Sequence, residues 1–218
     1  MKLPFTTADF FGVFQTYNEA VWPLQIVFNI LAASVVYLLI KKRDPERIIF
    51  SILALFWIWM GLVYHLIFFT AINPAAWIFG LLFIGQGVIF IVYGVFKDNM
   101  PLSFEWDVSG ITGIVFILYA LVIYPVLGIF TGHAYPQSPT FGVPCPTTIF
   151  TFGVLLFSQR RLPWYAMTIP FLWSLIGFSA AVSLSVWEDI GLVVAGVVSA
   201  LIVFFVKQKK ATDQRLAL

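Results

Sequence analysis

Apolar runs of about twenty residues recur along this chain, and the short connections between them hold most of its charge. That pattern constrains the fold more than any other feature. A hydrocarbon slab roughly 30 Å thick asks for about 20 apolar residues per crossing helix. With 61% of the 218 residues hydrophobic and 10% charged, a water-soluble core has no room for this much apolar surface. The expected fold is therefore all-α: one integral membrane domain, 1–218, of seven transmembrane helices. The spans are expected near 21–40, 48–70, 76–96, 110–130, 139–157, 164–185 and 190–206. A net charge of only +2 gives a nucleic-acid partner no support. The single cysteine, Cys145, excludes an intrachain disulfide and any multi-cysteine zinc or iron–sulfur site. The first apolar run is too long for a cleavable signal, and no small-residue cleavage site follows it.

Local signals place the breaks. Thr6-Thr7-Ala8-Asp9 has capping-box spacing, with Asp in place of Glu, and Phe10, Phe14 and Tyr17 then share one helical face. A short N-terminal helix in the membrane interface is expected there. Pro23 suits the first turn of the span that follows. Asn73-Pro74 marks a tight turn. Gly80, Gly87 and Gly94 recur every seven residues and draw a small-residue stripe for close helix contact. Tyr124-Pro125 marks a kink in the fourth span. The fifth span is short if counted from Thr147. Counted from Pro139 it is long enough, and Pro144 and Pro146 then imply a broken outer turn. Glu188-Asp189 is expected to cap the seventh helix.

The cations orient the bundle. With the N-terminus outside, the inner segments collect Lys41, Lys42, Arg43, Arg47, Lys97, Arg160, Arg161, Lys207, Lys209, Lys210 and Arg215, and only Lys2 lies outside. The positive-inside rule therefore predicts N-out, C-in, in a bacterial plasma membrane. Trp22, Trp77, Trp106, Trp164 and Trp187, near span ends, fit interfacial belts. A shift of 116 residues pairs Pro23 with Pro139, Trp57 with Trp173, Gly61 with Gly177, Asn73 with Asp189 and Gly80 with Gly196. This is the pattern of a three-plus-one-plus-three parallel repeat. Two unrelated triplets of apolar helices account for it equally well.

In that orientation the polar residues gather in the outer half. His65, Gln25, Asn29, Gln86, Tyr124 and Thr148 are the candidate solute-binding residues, and Glu19, Asn73, His133 and Cys145 the candidate gate or rim. Polar groups at membrane depth face the bundle interior or a cavity, because lipid cannot satisfy them. The stretch 132–148, which holds His133, Cys145 and four prolines, is expected to lie over this layer as a lid. His65 is either a titratable anchor for a solute or a neutral ring bonded to a neighbouring helix. Cys145 is either a thiolate ligand or nucleophile or a small buried hydrophobe.

Three function classes follow. The first is a small-solute transporter or channel with an outward-facing polar pocket, its partners the lipid bilayer and a small polar solute or ion. The second is a metal- or haem-binding membrane protein using His65, His133 and Cys145, although no short ligand spacing supports it. The third is an accessory subunit without a pocket, or a membrane enzyme. An enzyme is disfavoured, since no span holds paired carboxylates and no nucleophile lies near a base in sequence. Cofactor and metal remain open. NEAVWP (18–23), INPAAWIFG (72–80), CPTTIFTFG (145–153) and IPFLWSLIG (169–177) resemble an uncharacterised family of bacterial multipass inner-membrane proteins, whose members are labelled as a domain of unknown function or loosely as permeases. The resemblance implies a bacterial integral membrane protein and supplies no activity or site residue. Span seven has no lysine to form a retinal Schiff base.

Overall fold

The structure, a computed structural model, describes residues 4–41, 44–97, 100–159 and 162–206. Lys2, Lys42, Arg43, Arg160, Arg161, Lys207, Lys209, Lys210 and Arg215 lie outside the described residues. Seven helical rods follow one another: α1 Thr7–Lys41, α2 Glu46–Ala71, α3 Ala76–Phe96, α4 Val108–Phe130, α5 Pro144–Leu155, α6 Trp164–Leu184 and α7 Trp187–Phe205. All but α5 are long and apolar enough to cross a membrane. Exposed Leu, Ile, Val and Phe side chains cover their outward faces, as expected of a surface solvated by lipid.

The rods alternate in direction. Take the segment 131–143 as the top. Phe5 and Phe10 meet Phe69 there, and His133 meets Glu188. At the bottom, the Ser103 N–H donates to the Phe157 carbonyl (3.0 Å) and the Gln159 N–H to the Pro101 carbonyl (2.9 Å), while Tyr93 packs on Tyr165. The three described cations, Lys41, Arg47 and Lys97, all belong to this lower end. Lys97 sits 4.5 Å from the centre of the Tyr93 ring.

The helix α5 occupies the middle. All twelve of its residues are buried. It has no amphipathic stripe because it has no outward face, and it packs against α4, α6 and α7. At 1.5 Å per residue it is about 18 Å long, too short to cross a membrane alone. The expected span 139–157 is thus corrected: residues 139–143 and 156–159 are non-helical. The expected unwound outer turn is present as residues 139–143, and the helix begins at Pro144, with both prolines in its first turn, where the missing N–H has no intrahelical partner to lose.

The expected interfacial helix is also corrected. One unbroken 35-residue helix runs from Thr7 to Lys41 with Pro23 inside it. Its buried stripe, Phe10, Phe14, Tyr17, Val21, Gln25, Phe28, Ala32, Val35 and Leu39, passes straight through the proline, whose ring is exposed. Continuous packing on one face outweighs the single backbone bond that proline removes. The start is the capping box read from the sequence. The Thr6 N–H donates to Asp9 Oδ2 (2.9 Å) and the Asp9 N–H to Thr6 Oγ (3.2 Å).

Pro125 widens the winding of α4 and does not break it. The turn before it, Tyr119–Ile123, is π-helical, which takes up the crowding of the proline ring. The stripe on α3 meets α2 as expected: a Cβ on Gly61 would stand 2.8 Å from the Gly80 carbonyl, and one on Gly87 would lie 3.0 Å from the Ala54 carbonyl. The tightest crossing of the central helix is Gly153 on Gly113. A Cβ on either would lie 2.8 Å from the other's carbonyl oxygen. Gly153→Ala is therefore expected to lower the thermal unfolding midpoint in detergent, by about 1–3 kcal/mol of overpacking. Gly85→Ala, where nothing lies within 4 Å, should leave it unchanged or raise it. Equal effects of the two would remove the close-contact argument.

Candidate functional site

The top of the bundle is closed by a polar clasp. Asn18 is completely buried on α1. Its amide donates to the carbonyls of Pro136 (2.6 Å) and Ser138 (2.8 Å), and its Oδ1 accepts from Gln25 Nε2 (2.6 Å) and Thr140 Oγ (3.1 Å). Every hydrogen-bonding atom of that side chain thus holds the 131–143 segment or the residue beneath it. A second thread runs from Trp59 Nε1 to the Tyr17 hydroxyl (2.9 Å) and on to the Gly142 carbonyl (3.0 Å). Gln137 Nε2 reaches Gln15 Oε1 (3.1 Å) at the surface. The expected lid is therefore bound to α1, through Asn18, Tyr17 and Gln25.

Under the clasp lies a chain of polar groups. His133, partly exposed, stacks on Phe11 with ring centres 4.1 Å apart. Its Nδ1 lies 3.0 Å from Glu188 Oε1 and 3.2 Å from Thr131 Oγ. Glu188 is 1% exposed and its neighbour Asp189 4%. The expected capping role of this pair is corrected. Asp189 occupies the N-cap position before Ile190 and makes no side-chain capping bond. It accepts instead from the Tyr124 hydroxyl on α4. The Cys145 thiol, at the start of α5, lies against the Asp189 carboxyl on one side and the Trp173 indole on the other. Cys145 Sγ and Trp173 Nε1 flank the same point beside Gly177. Trp173 Nε1 has no oxygen or nitrogen partner.

His65 stands at the inner end of this chain. It is 0% exposed, and neither ring nitrogen has a hydrogen-bond partner. Its walls are aromatic: Phe83 (4.6 Å between ring centres), Trp173 (5.1 Å), Tyr64 (5.2 Å), Phe79 (5.9 Å) and Phe69 (6.0 Å). It lies in a π-helical stretch of α2, Met60–Phe68. Such wide turns are rare and concentrate at functional sites.

The other candidates fall in separate places. Gln25 joins the clasp, and Asn29 is exposed, donating to the Gln25 carbonyl of its own helix (2.8 Å). The two line a surface cleft of about 640 Å³ with Trp22, Ile26, Tyr135 and Thr140. Gln86 ties α3 to α6 through the Ala166 carbonyl (3.1 Å) and leaves its Oε1 unpaired. Thr148 Oγ is buried and unpaired. Glu19 is exposed and accepts from Gln15 (3.0 Å). Asn73 closes the α2–α3 turn through the Ala75 N–H (3.0 Å). The structure thus brings Tyr124, Cys145 and His133 into one chain with Glu188 and Asp189, with His65 next to Trp173. It sets Gln25 and Asn29 apart on α1. Among the described residues no three His, Cys, Asp or Glu side chains converge as a metal-ligand set, so His65, His133 and Cys145 do not share one ion. Asn18 and Trp173 were missed. Asn18 stands seven residues before Gln25, two turns of one helix face, a signal hidden once a helix start is placed at Pro23.

Removing the Asn18 amide takes the donor from the Pro136 and Ser138 carbonyls and the acceptor from the Thr140 hydroxyl, while Gln25 Nε2 keeps Thr140 Oγ (2.9 Å), at about 1–3 kcal/mol for each buried group left unpaired. Asn18→Ala is accordingly expected to speed amide hydrogen exchange in residues 131–143 about tenfold or more, since roughly 1.4 kcal/mol is a factor of ten. Exchange unchanged in that segment would show that the clasp does not hold it.

No curated protein and no solved structure matches the chain. A family model, described as a family of unknown function and designated DUF6064, matches residues 7–215. With nearly the whole length of the helical bundle covered, the chain belongs to the DUF6064 family, a family of unknown function.

Proposed function

We propose that the chain is a small-solute transporter or channel of the permease type, embedded in the bacterial inner membrane with its N-terminus outside. One observation carries this reading: both ring nitrogens of His65 are buried and unpaired, next to a Trp173 indole whose neighbour is the Cys145 thiol, at the base of a polar chain that starts at the partly exposed His133. Buried polar atoms are ordinarily satisfied, and unsatisfied ones call for an explanation. A solute that crosses the clasp would find one ring with a donor and an acceptor, and one with a donor, between aromatic walls. Hydrogen bonds from α1 hold the segment at Pro136, Ser138 and Gly142, while Phe141 packs on Phe150 of α5 and the Gly142 N–H donates to Thr147 Oγ, so an opening of the clasp is confined to residues 131–140.

The proposed orientation is supported by Lys41, Arg47 and Lys97 lying at the same end of the bundle. A three-plus-one-plus-three parallel repeat goes with this reading: small residues related by the 116-residue shift lie at the α2–α3 contact, where Gly61 meets Gly80, and at the α6–α7 contact, where Gly177 meets Leu192 and Gly196 meets Ser174.

Orientation is tested by labelling intact cells with a membrane-impermeant maleimide. Gln137→Cys should react and Lys97→Cys should not; the reverse pattern would invert the bundle. Transport is tested in proteoliposomes with a panel of sugars, amino acids and inorganic ions, chosen by thermal shift of the purified protein. His65→Gln keeps a donor and an acceptor and should retain uptake within a few-fold. His65→Leu should lower it about tenfold or more, the effect of leaving a buried polar partner unpaired. Uptake equal to the parent in His65→Leu would make His65 a packing residue.

A further inference from the structure

We infer that the Glu188–Asp189 pair is a proton-binding site, with one proton resident on Asp189 and exchanged with the aqueous face through His133. The site lies where α4, α5 and the start of α7 meet beneath the clasp. Both carboxyl groups are almost fully buried and adjacent in the chain. The titratable groups facing Asp189 are Tyr124 and Tyr119 from α4, Cys145 from α5 and Tyr64 from α2, with Tyr17 of α1 behind Tyr64. His133 faces Glu188 from the 131–143 segment. None of these is a fixed cation, and the described lysines and arginine are at the other end of the bundle. Two neighbouring carboxylates in a low-dielectric site without a cation cannot both stay ionised. His133 can form an ion pair with Glu188 when protonated, which leaves Asp189 as the acid without a charge partner.

Asp189 Oδ1 accepts from the Tyr124 hydroxyl, a bond the carboxyl can accept in either protonation state, and the Cys145 thiol lies against the same carboxyl with the Trp173 indole beside it. What favours the proton is burial next to a second carboxyl, while these donors are in place for the ionised form. In the loading step, the His133 imidazole takes a proton from bulk water and passes it to a Glu188 carboxylate oxygen 3.0 Å away, returning to the neutral ring. The proton then moves from Glu188 to the neighbouring Asp189 carboxylate, which leaves Glu188 ionised again and Asp189 protonated. The inference supplies a coupling ion for the transport reading but does not depend on it, because proton binding is measured without any solute.

The test is infrared spectroscopy of the full chain in lipid nanodiscs, titrated from about pH 5 to about pH 8. The parent should show the carbonyl stretch of a protonated carboxyl group at neutral pH, shifted on transfer to heavy water. Asp189→Asn should remove that band. Glu188→Gln should keep it, and His133→Ala should keep it while slowing its deuterium exchange about tenfold or more. A spectrum of Asp189→Asn identical to the parent's overturns the inference, as does unchanged exchange in His133→Ala. If Asp189→Asn fails to fold, Tyr124→Phe must shift the band without abolishing it, and an unmoved band overturns the inference equally. A clear Asp189 band in protein that moves no solute leaves this inference standing and removes only the transport reading.

Discussion

The rest of the structure depends on burying a short helix on every side. All twelve residues from Pro144 to Leu155 are covered by the other rods. Lipid is as apolar as leucine, so no hydrophobic force drives helix against helix in this solvent. Association rests on close packing and on polar groups that need partners. The Gly153–Gly113 crossing supplies the first and brings two backbones together. The Trp57 indole N–H, which donates to Thr151 Oγ (3.0 Å), supplies the second. Because α5 is only about 18 Å long, non-helical backbone must continue it at both ends, at depths where water is scarce. Those groups are satisfied by protein. The Gly142 N–H donates to Thr147 Oγ (3.2 Å) and its carbonyl accepts from Tyr17, while Phe157 and Gln159 pair with the 101–103 strand of backbone at the other end.

That requirement explains why polarity is so unevenly spread. At the bottom, the groups beside α5 are satisfied by backbone with the Gln159 amide added, and the described lysines and arginine sit at the helix ends. At the top, side chains do the work, from Asn18 and Tyr17 on one helix to Tyr124 and Asp189 on two others. A packing device would end with every donor matched to an acceptor. This one ends with unmatched nitrogens on Trp173 and His65 and two acids without a fixed cation. The clasp and the buried chain therefore differ in kind. The clasp is fully satisfied and structural, whereas the chain beneath it is incomplete.

The long rods were legible because a twenty-residue apolar run has one stable form in lipid. The capping box at Thr6–Asp9 and the turn at Asn73 were legible for a similar reason: each is local chemistry with its partner within three residues. Proline was misread once: Pro23 suggested a helix start, whereas the unwound outer turn read from Pro144 is there, and which of the two a proline means depends on packing. The face opposite Pro23 carries a continuous buried stripe, and Pro144 has no helix before it. Depth alone also grouped Gln25 and Asn29 with His65. Depth ignores the direction a side chain points: Gln25 and Asn29, one turn apart on one face of α1, line a surface cleft with Trp22 and Tyr135 and do not face His65. The Asp189–Tyr124 bond joins residues 65 apart in sequence, and no local pattern announces it.

The winding of α2 connects these threads. Trp57, Met60, Gly61, Tyr64, His65 and Phe69 are all buried, and each serves a different neighbour. Gly61 must meet Gly80 on α3, Tyr64 packs on Tyr17 of α1, and His65 faces Trp173 of α6. In a regular helix, residues 60 and 65 diverge, because five positions exceed one turn of 3.6 by more than a third of a turn. Widening to i→i+5 bonding brings Met60 and His65, and likewise Tyr64 and Phe69, onto one inward line. An ordinary α-helical turn through Met60–Phe68 would rotate the imidazole away from that line. The wide turn is thus what holds a polar ring among five aromatic ones, and its irregularity follows from placing His65 there.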